Sequence, residues 1–417
     1  MPPRPPAPSL PSPSPSSPAL PSSRPGPSPS PLANPAFRRL LFTQALFGVA
    51  YSVFLILPKY LATHLHASTG LISWIMASAA AVNVISAPLM GRIAGAQGAR
   101  RGMVIGNLAM ATGSVLFVFV AHPGAGAFVA RALQGLGWAL VFSSAGMLAV
   151  ALAPPDRIAQ AIGLHGSANI ITNAIGPALA EPAIAAWGAT PVFLAAAAVA
   201  LFAAYQSTRV ASPPAPPVPP SPAAAPAPPA AARAPRPSRF LLLPSLMLGI
   251  ACGVMFTLHQ PLALDRGIHR VSDFLVAYTA GALAMRLGFG RFTDRLGAGP
   301  VSAASFLLYG LVVAGMPLLH GSWGLVGFGA LFGVAHGIFF PALLAFSIGS
   351  SPEASRGRVI AGFNASFNLG GAAVVPFGML AERHGFSAAF VPVGLATFVT
   401  ALVIGHRVRV LRDRVLA

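Results

Sequence analysis

Apolar residues fall along this chain in continuous blocks. They cover about residues 40–62, 70–90, 102–121, 126–151, 159–182 and 190–206, then about 240–263, 272–289, 300–319, 323–349, 358–381 and 387–405. Each block is close to the ~20 residues that carry a helix across the hydrocarbon layer of a bilayer. A membrane barrel would alternate apolar and polar positions over roughly ten residues, and these blocks do not. The pattern predicts an all-α integral membrane protein with twelve transmembrane helices. Polar segments divide it into a Pro/Ser-rich tail at 1–36, a six-helix bundle at 37–207, a Pro/Ala-rich linker at 208–238, a second six-helix bundle at 239–407 and a short tail at 408–417. The first tail lacks the apolar surface to fold and has no apolar core of the kind a cleavable signal needs. The linker composition predicts an extended, semi-rigid spacer.

Basic residues set the expected orientation. With both ends on one side, twenty Lys and Arg residues fall on that side and only Lys59, Arg266, Arg270 and Arg383 on the other; Arg131 and Arg286 lie inside apolar blocks. An excess of basic residues marks the cytoplasmic side. The expectation is therefore a bacterial inner-membrane protein with both termini in the cytoplasm.

The two halves repeat. An offset of 199 carries Gly91 to Gly290, Arg92 to Arg291, Gly98 to Gly297, and, far away, Gly163 to Gly362, Asn169 to Asn368 and Pro177 to Pro376. One offset across distant segments indicates duplicated, pseudo-symmetric bundles. The loop after the second block reads GRIAGAQGAR (91–100), and its counterpart after the eighth reads GRFTDRLGAG (290–299), where Gly95 of the first copy is matched by Asp294. With RALQGLGWA (131–139) in the fourth block and Gly163, Gly176 and Pro177 in the fifth, the chain resembles the major facilitator superfamily of secondary transporters, over roughly residues 38–410. The resemblance implies twelve helices in two halves, a central site between them and a gate in the repeated loop. It also implies a substrate or proton role for Arg131, and its drug- and sugar-efflux branch has a similar fifth helix.

The loop has its own physics. A carboxylate there can accept hydrogen bonds from a helix N-terminus, whose free N–H groups and dipole favour anions. Asp294, with Gly290, Arg295 and Gly297, is expected to dock near Arg157 as a cytoplasmic latch. Gly91, Gly98 and Arg100 form the copy that lacks the acid. Arg286 is expected to join the latch or reach the surface.

Polar side chains within the blocks are candidates for a central cavity, because burial in lipid is costly. His165, Asn169 and Asn173 recur every four residues and so share one helix stripe; Asn364 and Asn368 sit on the matching stripe of the second half. Arg131, Gln44, His259, Gln260 and His336 complete the cavity set. For the stripes, hydrogen bonding between helices is the alternative. For Arg131, it is a structural role, satisfied by backbone carbonyls or by Glu181.

Composition narrows the function. Only 8% of residues are charged, against about 25% in soluble proteins. The net charge of +18 lies in short loops and tails, with no basic domain or stacking motif, so nucleic acid is not an expected partner. Cys252 stands alone, which rules out an internal disulfide and predicts a small buried hydrophobe. No nucleophile cluster, metal spacing or nucleotide loop occurs, so neither enzyme activity nor a cofactor is expected. The reading is a monomeric secondary transporter working by alternating access, exporting a small organic or amphipathic compound, with protons as the candidate coupling ion. The first helix has no acid, so the proton-coupling candidates are Glu181, Asp265 or a histidine. A uniporter or importer of a small metabolite, or a non-transporting sensor of the same fold, are the alternatives.

Overall fold

The computed structural model describes residues 29–92, 96–211, 239–288, 296–349 and 356–416. Among these the secondary structure is helical, with no strand. Twelve rods cross in sequence. The first, α1, is broken: Pro35–Ser52, a 3-10 stretch Val53–Ile56, then Leu57–Thr63. There follow α2 Thr69–Arg92, α3 Ala96–Val118, α4 Ala125–Leu152, α5 Ile158–Trp187 and α6 Ala189–Thr208. The second half holds α7 Arg239–Asp265, α8 Ser272–Gly288, α9 Ala298–Gly315 and α10 Gly321–Gly349. It closes with α11, in segments Arg356–Ala372 and Val375–His384, and α12 Phe386–Leu416. The face holding both chain ends is called terminal below, and the opposite face distal.

Nine of these rods, among the described residues, are long and apolar enough to cross a membrane. The other three are α5, α8 and α11. α5 carries the His/Asn stripe, α8 has only 17 residues, and α11 is split into 17 and 10. The split falls just before Pro376, whose missing N–H is harmless in the first turn of a new segment; its repeat partner Pro177 sits inside an unbroken α5.

Packing follows the duplication. In the first half α3 lies on α4 and α6, α2 on α4, and α1 on α5 and α6. In the second half α9 lies on α10 and α12, α8 on α10, and α7 on α11 and α12. Adding six to each helix number turns the first set into the second. The halves meet along two seams, α5 with α8 and α2 with α11, which that same relation exchanges.

Small residues let the rods approach. On α10, Gly329, Gly333 and Gly337 recur one turn apart against the backbone of Phe274, Tyr278 and Ala282 on α8. A Cβ on Gly329 or Gly337 would stand 2.5 or 2.7 Å from a carbonyl oxygen of α8, and one on Gly333 would be closer still to that of Tyr278. Gly135 plays the same part in the first half, where a Cβ would lie 2.6 Å from the backbone of Ala79 on α2. Such small-residue stripes replace the hydrophobic drive that lipid removes. Gly333→Val should therefore cost about 3 kcal/mol or more, the upper range for overpacking a rigid core. A sharp fall in the thermal midpoint and in the monodisperse yield of detergent-purified protein is the expected reading.

The lipid-facing surface is apolar, and three of its tryptophans mark one level. Trp74 near the start of α2, Trp187 at the end of α5 and Trp323 at the start of α10 are all exposed and all at the distal end. Tryptophan favours the boundary between lipid and water.

Candidate functional site

Arg131 lies less than two turns into α4 and is 3% exposed. Its Nη1 donates to Gln134 Oε1 at 3.0 Å, its Nη2 is 3.5 Å from the Tyr51 hydroxyl, and its guanidinium carbon lies 5.5 Å from the Tyr51 ring centre. Its Nε and the Gln134 Nε2 have no hydrogen-bond partner. Among the described residues no carboxylate pairs with it: Glu181 is engaged with Lys59, Asp273 with Arg270, and Asp265 with Arg266. A buried, unpaired charge is expensive. This one is held in place by a neutral amide and an aromatic face, neither of which neutralises it.

Aromatic rings extend from this point along α4. Tyr51 and Trp138 have ring centres 4.5 Å apart, Trp138 stacks on Phe142 at 5.3 Å, and Phe142 meets His165 of α5 at 5.1 Å. Both nitrogens of buried His165, Oδ1 of Asn169 and both amide atoms of Gln44 lack hydrogen-bond partners. Gln44 joins this group through helix register. Gly48 of α1 packs on Thr172 of α5, and one turn on, Ser52 packs on Gly176. One turn earlier, Gln44 is level with Ala168, beside Asn169. Asn173 is half-buried on the same stripe. The first half thus gathers Arg131, Gln134, Gln44, His165 and Asn169 as unsatisfied polar groups beside an aromatic row.

The distal ends of the two halves are fastened by polar contacts. Glu181 on α5 accepts from the backbone N–H of Val271 at 2.9 Å and of Ser272 at 2.8 Å, at the start of α8. Lys59 on α1 pairs with the same carboxylate at 2.6 Å and also donates to the carbonyl of His269 in the second half. Gln260 on α7 enters the break in α1, accepting from Lys59 N–H at 3.0 Å and donating to Leu55 C=O at 2.6 Å. The Lys59 N–H is a first-turn donor with no intrahelical acceptor, so the 3-10 break gives Gln260 its partner. At the distal face a carboxylate thus sits on a helix tip of the other half.

The remaining candidates are dispersed. His259 is fully buried within the second half, its Nδ1 donating to Met255 C=O at 2.6 Å and its ring stacking on Phe274 at 4.2 Å. His336 sits 3.6 Å from Cys252 Sγ, which itself lies 2.8 Å from the Tyr309 hydroxyl. Cys252 is therefore a hydrogen-bonded group within the second bundle as well as a buried one. Asn368 donates to the carbonyl of Asn364 at 2.9 Å. Arg286 reaches across the seam: a Cβ on Gly166 of α5 would meet its Nη1 at 3.1 Å. Arg157 donates to Gln160 at 3.2 Å and lies 4.0 Å from Asp156. Asp265 is exposed and faces Arg266 at 3.9 Å. Gly297 has φ +84° and starts α9, a conformation that favours glycine. Gly91 ends within α2, and Gly98 and Arg100 open α3. Gly290, Asp294 and Arg295 lie outside the described residues.

Sequence reading passed over Gln134, Trp138, Tyr51, Lys59 and Glu382. The first two stood inside the RALQGLGWA segment, where Gln134 lies three residues after Arg131 and so on its face of the helix. Lys59 and Glu382 gave a different signal, taken up below.

The sequence pattern of the Major Facilitator Superfamily matches residues 40–275 and again 267–414. Among curated proteins none matches the chain. Solved structures share the fold at low identity. A peptide transporter POT in complex with sulfate has TM-score 0.74 at 16% identity, over 88% of this chain and 93% of its own. The nucleoside transporter NupG, in a mutant form, has TM-score 0.70 at 13% identity, over 89% and 99%. A POT family transporter in complex with a thioalcohol-conjugated peptide has TM-score 0.69 at 12% identity, over 88% and 95%. The superfamily's pattern thus reaches across both halves, and the fold is shared with these transporters. This chain belongs to the Major Facilitator Superfamily, as a multi-pass membrane protein of secondary transport and not an enzyme.

Proposed function

We propose that the protein exports a small amphipathic organic compound bearing one anionic group, by alternating access between the distal and terminal faces. The observation that carries this reading is the buried guanidinium of Arg131, with no carboxylate partner among the described residues, beside the Tyr51–Trp138 ring pair. An anion there would neutralise the charge and take up the free Nε–H, while the ring row would cover an apolar body. The unpaired arginine favours an anionic end on an otherwise apolar molecule. Gln44, His165 and Asn169 offer further polar contacts as the halves rock.

In this reading the distal face is the outside, in keeping with the basic residues on the terminal face, in a bacterial inner membrane. The bundles move as the units 37–207 and 239–407, and the chain acts as a monomer. Glu181, Lys59 and Gln260 close the outer side, and Asp294 serves as latch on the inner side. Proton exchange would act at Glu181, since a proton there removes the charge that holds both Lys59 and the tip of α8.

The test is uptake into proteoliposomes of paired compounds, an aromatic carboxylate and its neutral amide, with and without an imposed pH gradient. Accumulation of the carboxylate, faster under the gradient, is expected. Equal handling of both compounds would reject the anion reading, and indifference to the gradient would reject proton exchange.

A further inference from the structure

The three residues before and including Glu181 read Leu179-Ala180-Glu181, and the second half repeats them as Leu380-Ala381-Glu382. The spacing is 201, two more than the 199 that relates Pro177 to Pro376, so two extra residues stand between proline and glutamate in the second half. A fixed offset of 199 therefore misses the match. The same spacing of 201 carries Gly70 to Val271 and Leu71 to Ser272. Glu181 binds the N–H groups of Val271 and Ser272; Glu382 Oε2 accepts from the N–H of Gly70 at 2.7 Å, at the start of α2. The seam α5–α8 and the seam α11–α2 thus end in the same contact, a carboxylate of one half on a helix tip of the other.

We propose that Glu382 is a gating residue, the twofold mate of Glu181, and that the distal face is closed by this pair of latches. The proposal rests on the alternating-access reading, though not on any particular substrate. Three features support it. The first turn of α2 is otherwise capped only by Ser68, whose Oγ accepts from Leu71 N–H at 3.4 Å, so the Gly70 donor depends on the other half. Glu382 also borders a polar cleft of about 550 Å³ at the distal face, together with Ser68, Thr69, Asp265, Arg266 and Phe386. Water can replace the carboxylate there when the seam opens, so the contact is reversible. Third, Gly378 packs on Ser73 one turn deeper, which brings α11 and α2 close enough for the latch to form.

The latches are unequal. Lys59 neutralises Glu181, and 201 residues on its place is taken by Gln260, which is neutral and bonded to α1. No cation among the described residues forms an ion pair with Glu382. It is held by one N–H and the field of the α2 tip, a favourable position for an anion.

The experiment uses full-length protein with Cys252→Ala and a single probe, Ala80→Cys, on α2 facing Gly371 of α11. The rate of alkylation by a membrane-impermeant maleimide added at the distal face is measured. Glu382→Gln removes the charge. Gly70→Ala acts from the other side, since its Cβ would stand 2.6 Å from Glu382 Oε2 and turn the flexible carboxylate away. Each change should raise the rate about two- to fivefold, the scale of one anion on an exposed helix tip. The double variant should react no faster than either single one, because both break one contact. Unchanged rates in both variants, or additive effects in the double, would overturn the proposal. Thermal midpoints within a few degrees of the parent show that the rate reports opening and not unfolding. Because alkylation needs no substrate, failure here is separate from failure of the transport reading.

Discussion

Arg131→Ala is expected to abolish accumulation of an anionic compound while leaving a folded membrane protein. The guanidinium has one side-chain hydrogen bond of ordinary length, to Gln134, and a longer approach to Tyr51. Among the described residues it has no carboxylate whose own burial would then become unpaired. Removing the arginine thus relieves an uncompensated charge, and stability should hold or rise. Binding should suffer instead. Truncating one partner of a buried, hydrogen-bonded charge pair costs about 2–5 kcal/mol, or roughly 30-fold to several thousandfold in affinity. Arg131→Lys should recover part of it, keeping the charge without the planar fork. Equilibrium binding by calorimetry or thermal shift, with uptake in parallel, reads the effect. Undiminished affinity for the carboxylate in Arg131→Ala would remove it from the substrate site; a collapsed midpoint would make it a structural residue.

Glu181→Gln should shift the resting balance toward a distal-open state. The carboxylate takes two backbone donors of α8 and the ammonium of Lys59, at 7% and 22% exposure for the two side chains. Glutamine keeps one acceptor and loses the charge. Breaking a fully buried pair costs about 3–5 kcal/mol; the partial exposure of Lys59 lowers this to about 2 kcal/mol, or roughly thirtyfold in the open-to-closed ratio. The effect should exceed that of Glu382→Gln, which loses one donor and no ion pair. Lys59→Met should act in the same direction but less, since Glu181 can still cap α8. The measurement is maleimide labelling of an Ala168→Cys probe beside the Asn169 stripe, with Cys252→Ala as background. Slower labelling from the distal side in Glu181→Gln would contradict a latch there.

Several particulars show how far the residues alone carried the structure. Block length and the Gly/Pro pattern predicted twelve rods, and the 199 offset predicted two similar halves. Both follow from local facts: lipid demands about twenty apolar residues in a helix, and duplication leaves matched motifs. Arg131 was singled out because an arginine within an apolar block needs a reason wherever the helix packs. What it would meet was open, and Glu181 was one suggestion. The folded chain gives Glu181 to Lys59 and α8, and leaves Arg131 with Gln134 and Tyr51.

Gln260 shows the limit. In the sequence it is a polar residue in the seventh block, next to His259 and alike in promise. In three dimensions His259 turns into its own bundle, while Gln260 crosses to α1 and fills the bonding gap left where that helix breaks. A one-residue step on a helix turns a side chain by about 100°, and only the packing of neighbouring rods decides which direction is the seam. Length, helical class, duplication and the presence of one arginine within an apolar block were thus determined by the sequence itself. Which carboxylate meets which helix tip, and that such contacts form at the distal face, was decided by the tertiary structure. The physical reason is that an N–H at a helix end donates to any anion brought within about 3 Å, so its partner is chosen by the docking of the two halves.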